Sequence, residues 1–199
     1  MLTGHAVPEP LASSVVVYEH GARKRFDSFW AAQPTFFLFL RHNACPGCAA
    51  QIRALLPLIP ELRRCGTRIV FVGLCEPSRL LPFRERMQLE DAGVELVTDP
   101  SSSCHREAGL VRSARSTFGP VAVFEALRLY ALAAGPGTRP GAWVRREEGD
   151  GELLQQGGAL LVDRAGVVHL YHAATNLADH VALGDVRRLA AELAQRAHA

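Results

Sequence analysis

The sequence predicts an α/β fold on a mixed sheet, and three observations carry that prediction. Between residues 35 and 110, short apolar segments alternate with helical stretches at crossover spacing, the rhythm of parallel strands joined by helices. Two of those segments, Thr35–Leu40 (TFFLFL) and Arg68–Leu74 (RIVFVGL), are apolar on both faces, as strands buried on two sides are. Near the C-terminus, Ala159–Val162 and Val167–Tyr171 flank Asp163-Arg164-Ala165-Gly166, a hairpin signal that makes the sheet mixed.

The elements follow in order. Residues 1–13, with Pro8 and Pro10, read as a loose lead-in. Ser14–Glu19 (SVVVYE) is β-branched and reads as a strand, Gly21 as a turn, and Lys24–Phe26 as its hairpin partner. Asp27 is placed to cap a short helix through Trp30 to Gln33. After the strand at 35–40 come Arg41-His42-Asn43 and Cys45-Pro46-Gly47-Cys48. A helix follows, with Ile52, Leu55, Leu56, Ile59 and Leu62 on one face. Pro57 and Pro60 kink it and Gly66 ends it. Pro77 opens a helix to about Asp91, Val94–Val97 is a short strand, Thr98-Asp99-Pro100 turns, and Ser102–Leu110 is a short helix. The rhythm breaks at 113–152, which holds a helix (Val121–Ala134) and a Gly/Pro/Arg-rich loop (GPGTRPGAW). This stretch reads as an insertion at the edge of the fold. A helix from about Asp179 to Ala197 closes the chain. Without internal repeats or a low-complexity linker, residues 1–199 read as one domain.

Composition narrows the function classes. At 199 residues a core of ordinary size forms without disulfide or metal staples. Lys and Arg number 22 against 20 Asp and Glu, a net charge of +2, which makes no case for nucleic acid or an anionic membrane. The first residues lack a basic-then-apolar signal peptide, and the longest uninterrupted apolar run of note, Phe36–Leu40, is too short to cross a bilayer. The expected setting is therefore the cytoplasm. Five cysteines are an odd and sparse set, not a disulfide scaffold.

The pair Cys45 and Cys48 carries the chemistry. A cysteine at a helix N-terminus faces unpaired N–H groups and the positive end of the helix dipole, both of which favour thiolate. Pro46 is tolerated at the first helical position, where its missing N–H costs nothing. Cys48 sits almost one turn on, within reach of Cys45. Cys45 is thus the expected attacking thiol and Cys48 the resolving one. Two plainer readings stand beside this one. The thiols are inert and buried, or they ligate zinc with Cys75, Cys104, His42 or His105, although no second CxxC or His-x₃₋₅-His is present.

RHNACPGC after FFLFL, then RIVFVGL, VELVTDPSSSCHREAGL and LLQQGGALLVDRAGVVHLYH together resemble the thioredoxin-fold peroxiredoxin-like proteins. The resemblance lies nearest the alkyl-hydroperoxide-reductase/thiol-specific-antioxidant (AhpC/TSA) branch that includes the prostamide/prostaglandin F synthase-like proteins, and covers about residues 14–112 and 152–197. It implies a thioredoxin-like three-layer sandwich, a central mixed sheet flanked by helices, to which the helical and loop insertion read at 113–152 is added before the C-terminal hairpin. It also implies a thiol-based antioxidant oxidoreductase, with Cys45 matching the family's active cysteine. In the family pattern PxxxTxxC, Leu38 here replaces Pro and His42 replaces Thr. Gly157-Gly158 stands where thioredoxins carry a cis-proline.

The functional expectation is reduction of a peroxide or a disulfide through a Cys45/Cys48 redox-active dithiol, with Arg41 and His42 assisting. Arg41 would stabilise a thiolate or an anionic oxygen, and His42 would move a proton. No metal and no cofactor is called for; an external thioredoxin- or glutathione-type thiol donor resets the pair. Alternatives are a disulfide reductase without peroxidase activity, or a non-catalytic redox-sensing or zinc-binding module. The insertion and an exposed edge strand offer a surface for a homodimer. Cys75 reads as a buried hydrophobe, Cys104 as an exposed bystander and Cys65 as a thiol without a role. Asp99 reads as a turn residue, and His169, His172 and His180 as surface or capping groups. Gly157-Gly158 reads equally as a bulge or as a place of close substrate approach.

Overall fold

The computed structural model describes residues 1–133 and 146–198. In chain order these hold α1 (Glu9–Ala12), β1 (Val15–Val17), β2 (Arg23–Arg25), β3 (Thr35–Phe39), α2 (Pro46–Leu55), α3 (Ile59–Arg64) and β4 (Arg68–Gly73). Then come α4 (Leu80–Met87), β5 (Glu95–Thr98), α5 (Ser103–Glu107), α6 (Ala114–Phe118), α7 (Pro120–Ala133), β6 (Gly158–Val162), β7 (Val168–Ala173) and α8 (Leu183–His198). The strands form one sheet in the order β2-β1-β5-β4-β3-β6-β7. β3, β4 and β5 are parallel, whereas β1, β6 and β7 pair antiparallel with their neighbours.

β3 is wholly buried because it lies between β4 and β6 and both of its faces are covered. Its side chains alternate, as the period of a strand requires. Phe36 and Leu38 enter one core with Ile52, Leu55, Ile59, Leu62 and Val186, under α2, α3 and α8. Phe37 and Phe39 enter a second core on the other face with Val16, Phe26, Phe29 and Trp30. There the Phe26 and Phe37 rings stack with centroids 4.3 Å apart. Two cores on one sheet make the expected three-layer sandwich.

Several boundaries differ from the sequence reading, each for a local reason. The helix across Pro57 and Pro60 is more than kinked. α2 stops at Leu55, a 3₁₀ turn runs Leu56–Leu58, and α3 restarts with Pro60 in its first turn, where a missing N–H is harmless. In place of the expected helix from Asp27 there is a 3₁₀ turn, Phe26–Phe29, that contains Asp27. Asp27 pairs with Arg25 instead of capping it. α4 ends at Met87 rather than near Asp91, because Gln88 takes a left-handed conformation, φ 56°. The lead-in is docked: Gly4 and Val7 donate to the carbonyls of Val168 and Gly166, and Leu11 is fully buried.

The described part of the insertion packs on the outside of the fold, beside the cysteine pair. α7 packs against α2, and Thr117 of α6 bonds the Arg41 side chain, so the segment lies against the helix that begins at the cysteine pair. Arg112 and Gln155 bridge its two ends. The GPGTRPGAW loop lies outside the described residues.

Candidate active site

The cysteine pair lies where the parallel part of the sheet ends and α2 begins. β3 carries the chain to Phe39, a short loop turns, and Cys45 is the N-cap of α2 with Pro46 at the first helical position. Each sulfur faces a backbone N–H. Cys48 donates to Cys45 Sγ at 3.4 Å, and Arg41 donates to Cys48 Sγ at 3.3 Å. Both thiols are free, Cys45 2% and Cys48 7% exposed.

The two titrate in opposite directions. The Cys48 thiol, hydrogen-bonded to Cys45, pulls Cys45 down to about 6 against the effect of burial, with help from the Arg41 cation and the N–H groups of Cys48 and Gly47. That same bond, then burial and the charge on Cys45, push Cys48 well up. The first proton therefore leaves the pair to give a thiolate centred on Cys45, with Cys48 as the thiol donating to it.

Arg41 is 4% exposed. Its guanidinium donates to the carbonyls of Gln155 and Leu153 and to Thr117 Oγ1. Among the described residues no carboxylate pairs with it. It is a buried cation held by neutral acceptors, beside a dithiol that can supply the missing negative charge. His42 is also buried. Burial, then the Arg41 and Arg146 cations, hold it near 4, a neutral imidazole at physiological pH, with Nδ1 unpartnered among the described residues. Among the described residues no hydrogen bond joins it to either sulfur. The loop that carries both is clamped from outside. Asn43 N–H donates to Asp150 C=O, Asn43 Nδ2 to Arg79 C=O, and Arg86 donates to Asn43 C=O.

A small open cavity, with the room of about one water molecule, adjoins the pair. Cys48 lines it, with Arg41, Gly157, Gly158, His172 and His180; Cys45 does not. Sequence reasoning missed the two histidines, which belong to β7 and the loop after it and reach the site only through the sheet. His172 Nε2 lies 3.2 Å from Asp179 Oδ1. His180 has an Nε2 without a partner among the described residues, and burial lowers its pKa despite the Leu177 and Gly47 carbonyls beside it. The glycines are explained by close packing within the chain. A Cβ on Gly157 would overlap the Phe39 carbonyl, and one on Gly158 the His172 carbonyl. Gly47 is under the same constraint, because the Leu177 carbonyl rests directly on it. Gly47→Ala is expected to push the 174–180 loop off α2 and cost about 1–3 kcal/mol, measured as a lower denaturant midpoint.

The other cysteines lie apart. Cys75 is buried, with its thiol pKa raised by burial, as a small hydrophobe should be. Cys104, expected at the surface, is fully buried against the second core. Burial and then the Asp99 carboxylate push its thiol far up, so opening a helix does not activate it. Asp99 does more than turn the chain, accepting from the Cys104 N–H and the Ser101 and Ser103 hydroxyls. His169 pairs with Asp163 in the hairpin turn. Among the described residues no three His, Cys, Asp or Glu side chains converge as a metal donor set, and no helix is long and apolar enough to cross a membrane.

Residues 54–176 match the family model of the AhpC/TSA antioxidant enzymes, more than half of the chain, beginning just after the cysteine pair. The prostamide/prostaglandin F synthase of Salmo salar is 25% identical over 181 residues, 90% of this chain and 86% of its own. Solved structures share the fold. The bacterioferritin comigratory protein of Xanthomonas campestris superposes with a TM-score of 0.62 at 12% identity, covering 100% of both chains. Reduced Prx3 of Vibrio vulnificus, in complex with hydrogen peroxide, superposes with a TM-score of 0.59 at 15% identity over 86% of each chain.

Proposed function

The chain belongs to the AhpC/TSA antioxidant enzyme family and is a thiol-based oxidoreductase of the peroxiredoxin-like group, and from that premise we propose that Cys45 and Cys48 are its redox-active dithiol and a small peroxide its substrate. The observation that carries the proposal is the asymmetry of the pair, a Cys45 held near 6 beside a Cys48 that keeps its proton. The Cys45 thiolate attacks the peroxide, the O–O bond breaks, and the leaving alkoxide or hydroxide takes a proton. Cys45 is left as a sulfenic acid. The Cys48 sulfur then displaces that hydroxyl, an S–S bond forms, and water departs with the Cys48 proton. Two external thiols, of thioredoxin or glutathione type, return two electrons and two protons. A reducing compartment such as the cytoplasm suits that cycle. The narrow cavity favours a peroxide over a protein disulfide, which would first have to open the 174–180 loop. Arg41 steadies the thiolate, and His42, on the loop before Cys45, is a neutral imidazole that accepts a proton.

A specific observation favours a second reading, with the roles reversed. Cys48, not Cys45, faces the cavity. One experiment separates the two. Each single Cys→Ser variant is treated with one equivalent of peroxide and a sulfenate trap, then mapped by mass spectrometry. The expected result is a trapped sulfenate at Cys45 in Cys48→Ser, and a Cys45–Cys48 disulfide in the unaltered protein. A sulfenate at Cys48 in Cys45→Ser, with none at Cys45 in the other variant, establishes the reverse order. Oxidation at neither position ends the proposal.

A further inference from the structure

Leu40 and Arg41 share one peptide unit at the end of β3, and both of its polar edges are engaged. On one edge the Arg41 N–H points at Cys48 Sγ, 3.3 Å away. On the other, the Leu40 C=O meets His105 Nε2 at 2.8 Å. We propose that His105 is a positioning residue for Cys48, acting through the Leu40–Arg41 peptide to strengthen the N–H···S bond that a Cys48 thiolate receives.

The chemistry of the contact sets the tautomer. A carbonyl only accepts, so Nε2 carries the proton. Nδ1 is then bare, which agrees with its having no partner among the described residues in a fully buried site. The ring stands edge-on to Phe39, centroids 5.2 Å apart, and cannot swing away without opening the second core. Burial keeps it neutral, at about 4, with the Leu40 carbonyl and then the Asp99 carboxylate as weaker opposing influences. A donor on the C=O of a planar peptide draws density from its N–H, so the second hydrogen bond of the chain is reinforced by the first. The same donor fixes the peptide plane, and with it the direction of the N–H toward sulfur.

Whichever cysteine meets the peroxide, Cys48 must become a nucleophilic thiolate once in the cycle, and at that step this N–H acts on it. The inference rests on the dithiol reading for its consequence, but its test does not depend on turnover. In a Cys45→Ser background, the Cys48 alkylation rate is followed against pH by mass spectrometry, alone and combined with His105→Phe or His105→Gln. Phe keeps a ring against Phe39 and removes the donor; Gln restores an N–H near the Nε2 position. The expected result is an upward shift of the Cys48 midpoint by about half a pH unit with Phe, about threefold slower alkylation below the midpoint, and recovery with Gln. A buried group that merely fills space would shift the denaturant midpoint and leave the Cys48 midpoint in place, which would overturn the proposal. The unaltered protein provides a check that needs no folded variant. Its imidazole ¹⁵N shifts should show a protonated Nε2 and a bare Nδ1 on His105, and the opposite tautomer would also overturn it. Absence of peroxide turnover with the Cys48 shift present would count against the proposed function and leave this inference standing.

Discussion

Cys45→Ser is expected to abolish thiol-dependent peroxide consumption and disulfide reduction together, by about a thousandfold or more, while leaving the fold intact. Serine matches the cysteine in shape, and its oxygen can still accept the Cys48 N–H that caps α2. What it lacks is an ionisation near neutral pH. In the proposed cycle the Cys45 thiolate is the reacting species, and a hydroxyl in the same place stays protonated and inert toward peroxide. Steady-state peroxide loss with an excess of dithiothreitol measures the first activity, and insulin disulfide reduction the second. A circular-dichroism melt that matches the unaltered protein shows that structure is not the cause. Survival of both activities would remove Cys45 from the mechanism. Loss of disulfide reduction alone, with peroxide consumption kept, would point to the reversed order, with Cys48 as the attacking sulfur.

The second large effect is expected at Arg41. Arg41→Met keeps much of the buried aliphatic length and removes the cation. The Cys45 pKa is depressed from the ordinary thiol range to about 6, first by the Cys48 thiol and then by the Arg41 charge. For a group that loses a proton to become reactive, depression means reactivity that is full above the midpoint and falls about tenfold per pH unit below it. In the unaltered protein, alkylation should therefore be flat from about pH 7 to 8 and decline below 6. In Arg41→Met the midpoint should rise by about one unit, with roughly tenfold slower alkylation at pH 5. The same variant leaves the acceptors at Gln155, Leu153 and Thr117 short of a donor, so stability should fall by about 1–3 kcal/mol. Arg41→Lys retains the charge without the three-pronged grip, and should keep more of the low midpoint than of the stability. An unchanged midpoint in Arg41→Met would mean that the cation is there only to tie the insertion down.

These two sites show how far the chain could be read in one dimension. The Cys45-Pro46-Gly47-Cys48 run declares itself because its chemistry is local. A strand with two apolar faces, a loop, and a proline that fits only the first turn of a helix together place a cysteine on the helix N-terminus. The same is true of the wholly apolar β3 and β4 and of the hairpin around Asp163. Each is set by periodicity or turn chemistry within a few residues. The helix end assigns the attacking role to Cys45, but it does not show that the Arg41 charge helps to lower Cys45 or that Cys48 is the sulfur lining the cavity, because both depend on contacts outside the run.

Cys104 and the C-terminal histidines show the other side. A helix beginning SSSC looks open to solvent, yet α5 lies against Phe39 and the neighbouring aromatic core, and its cysteine is sealed. His172 and His180 look like surface groups until β6 and β7 fold back beside β3 and bring them to Cys48. The insertion looks like an appendage until Thr117 meets the Arg41 guanidinium. By itself, then, the sequence determined the α/β architecture, the cysteine pair proposed as the redox dithiol and the helix that presents it, because those depend on hydrophobic period and on the polarity of a helix end. Only the tertiary structure decided what surrounds the pair: a buried cation, a clamped loop, a small open cavity and a histidine behind the peptide. Those contacts join residues far apart in the chain, and no local pattern encodes them.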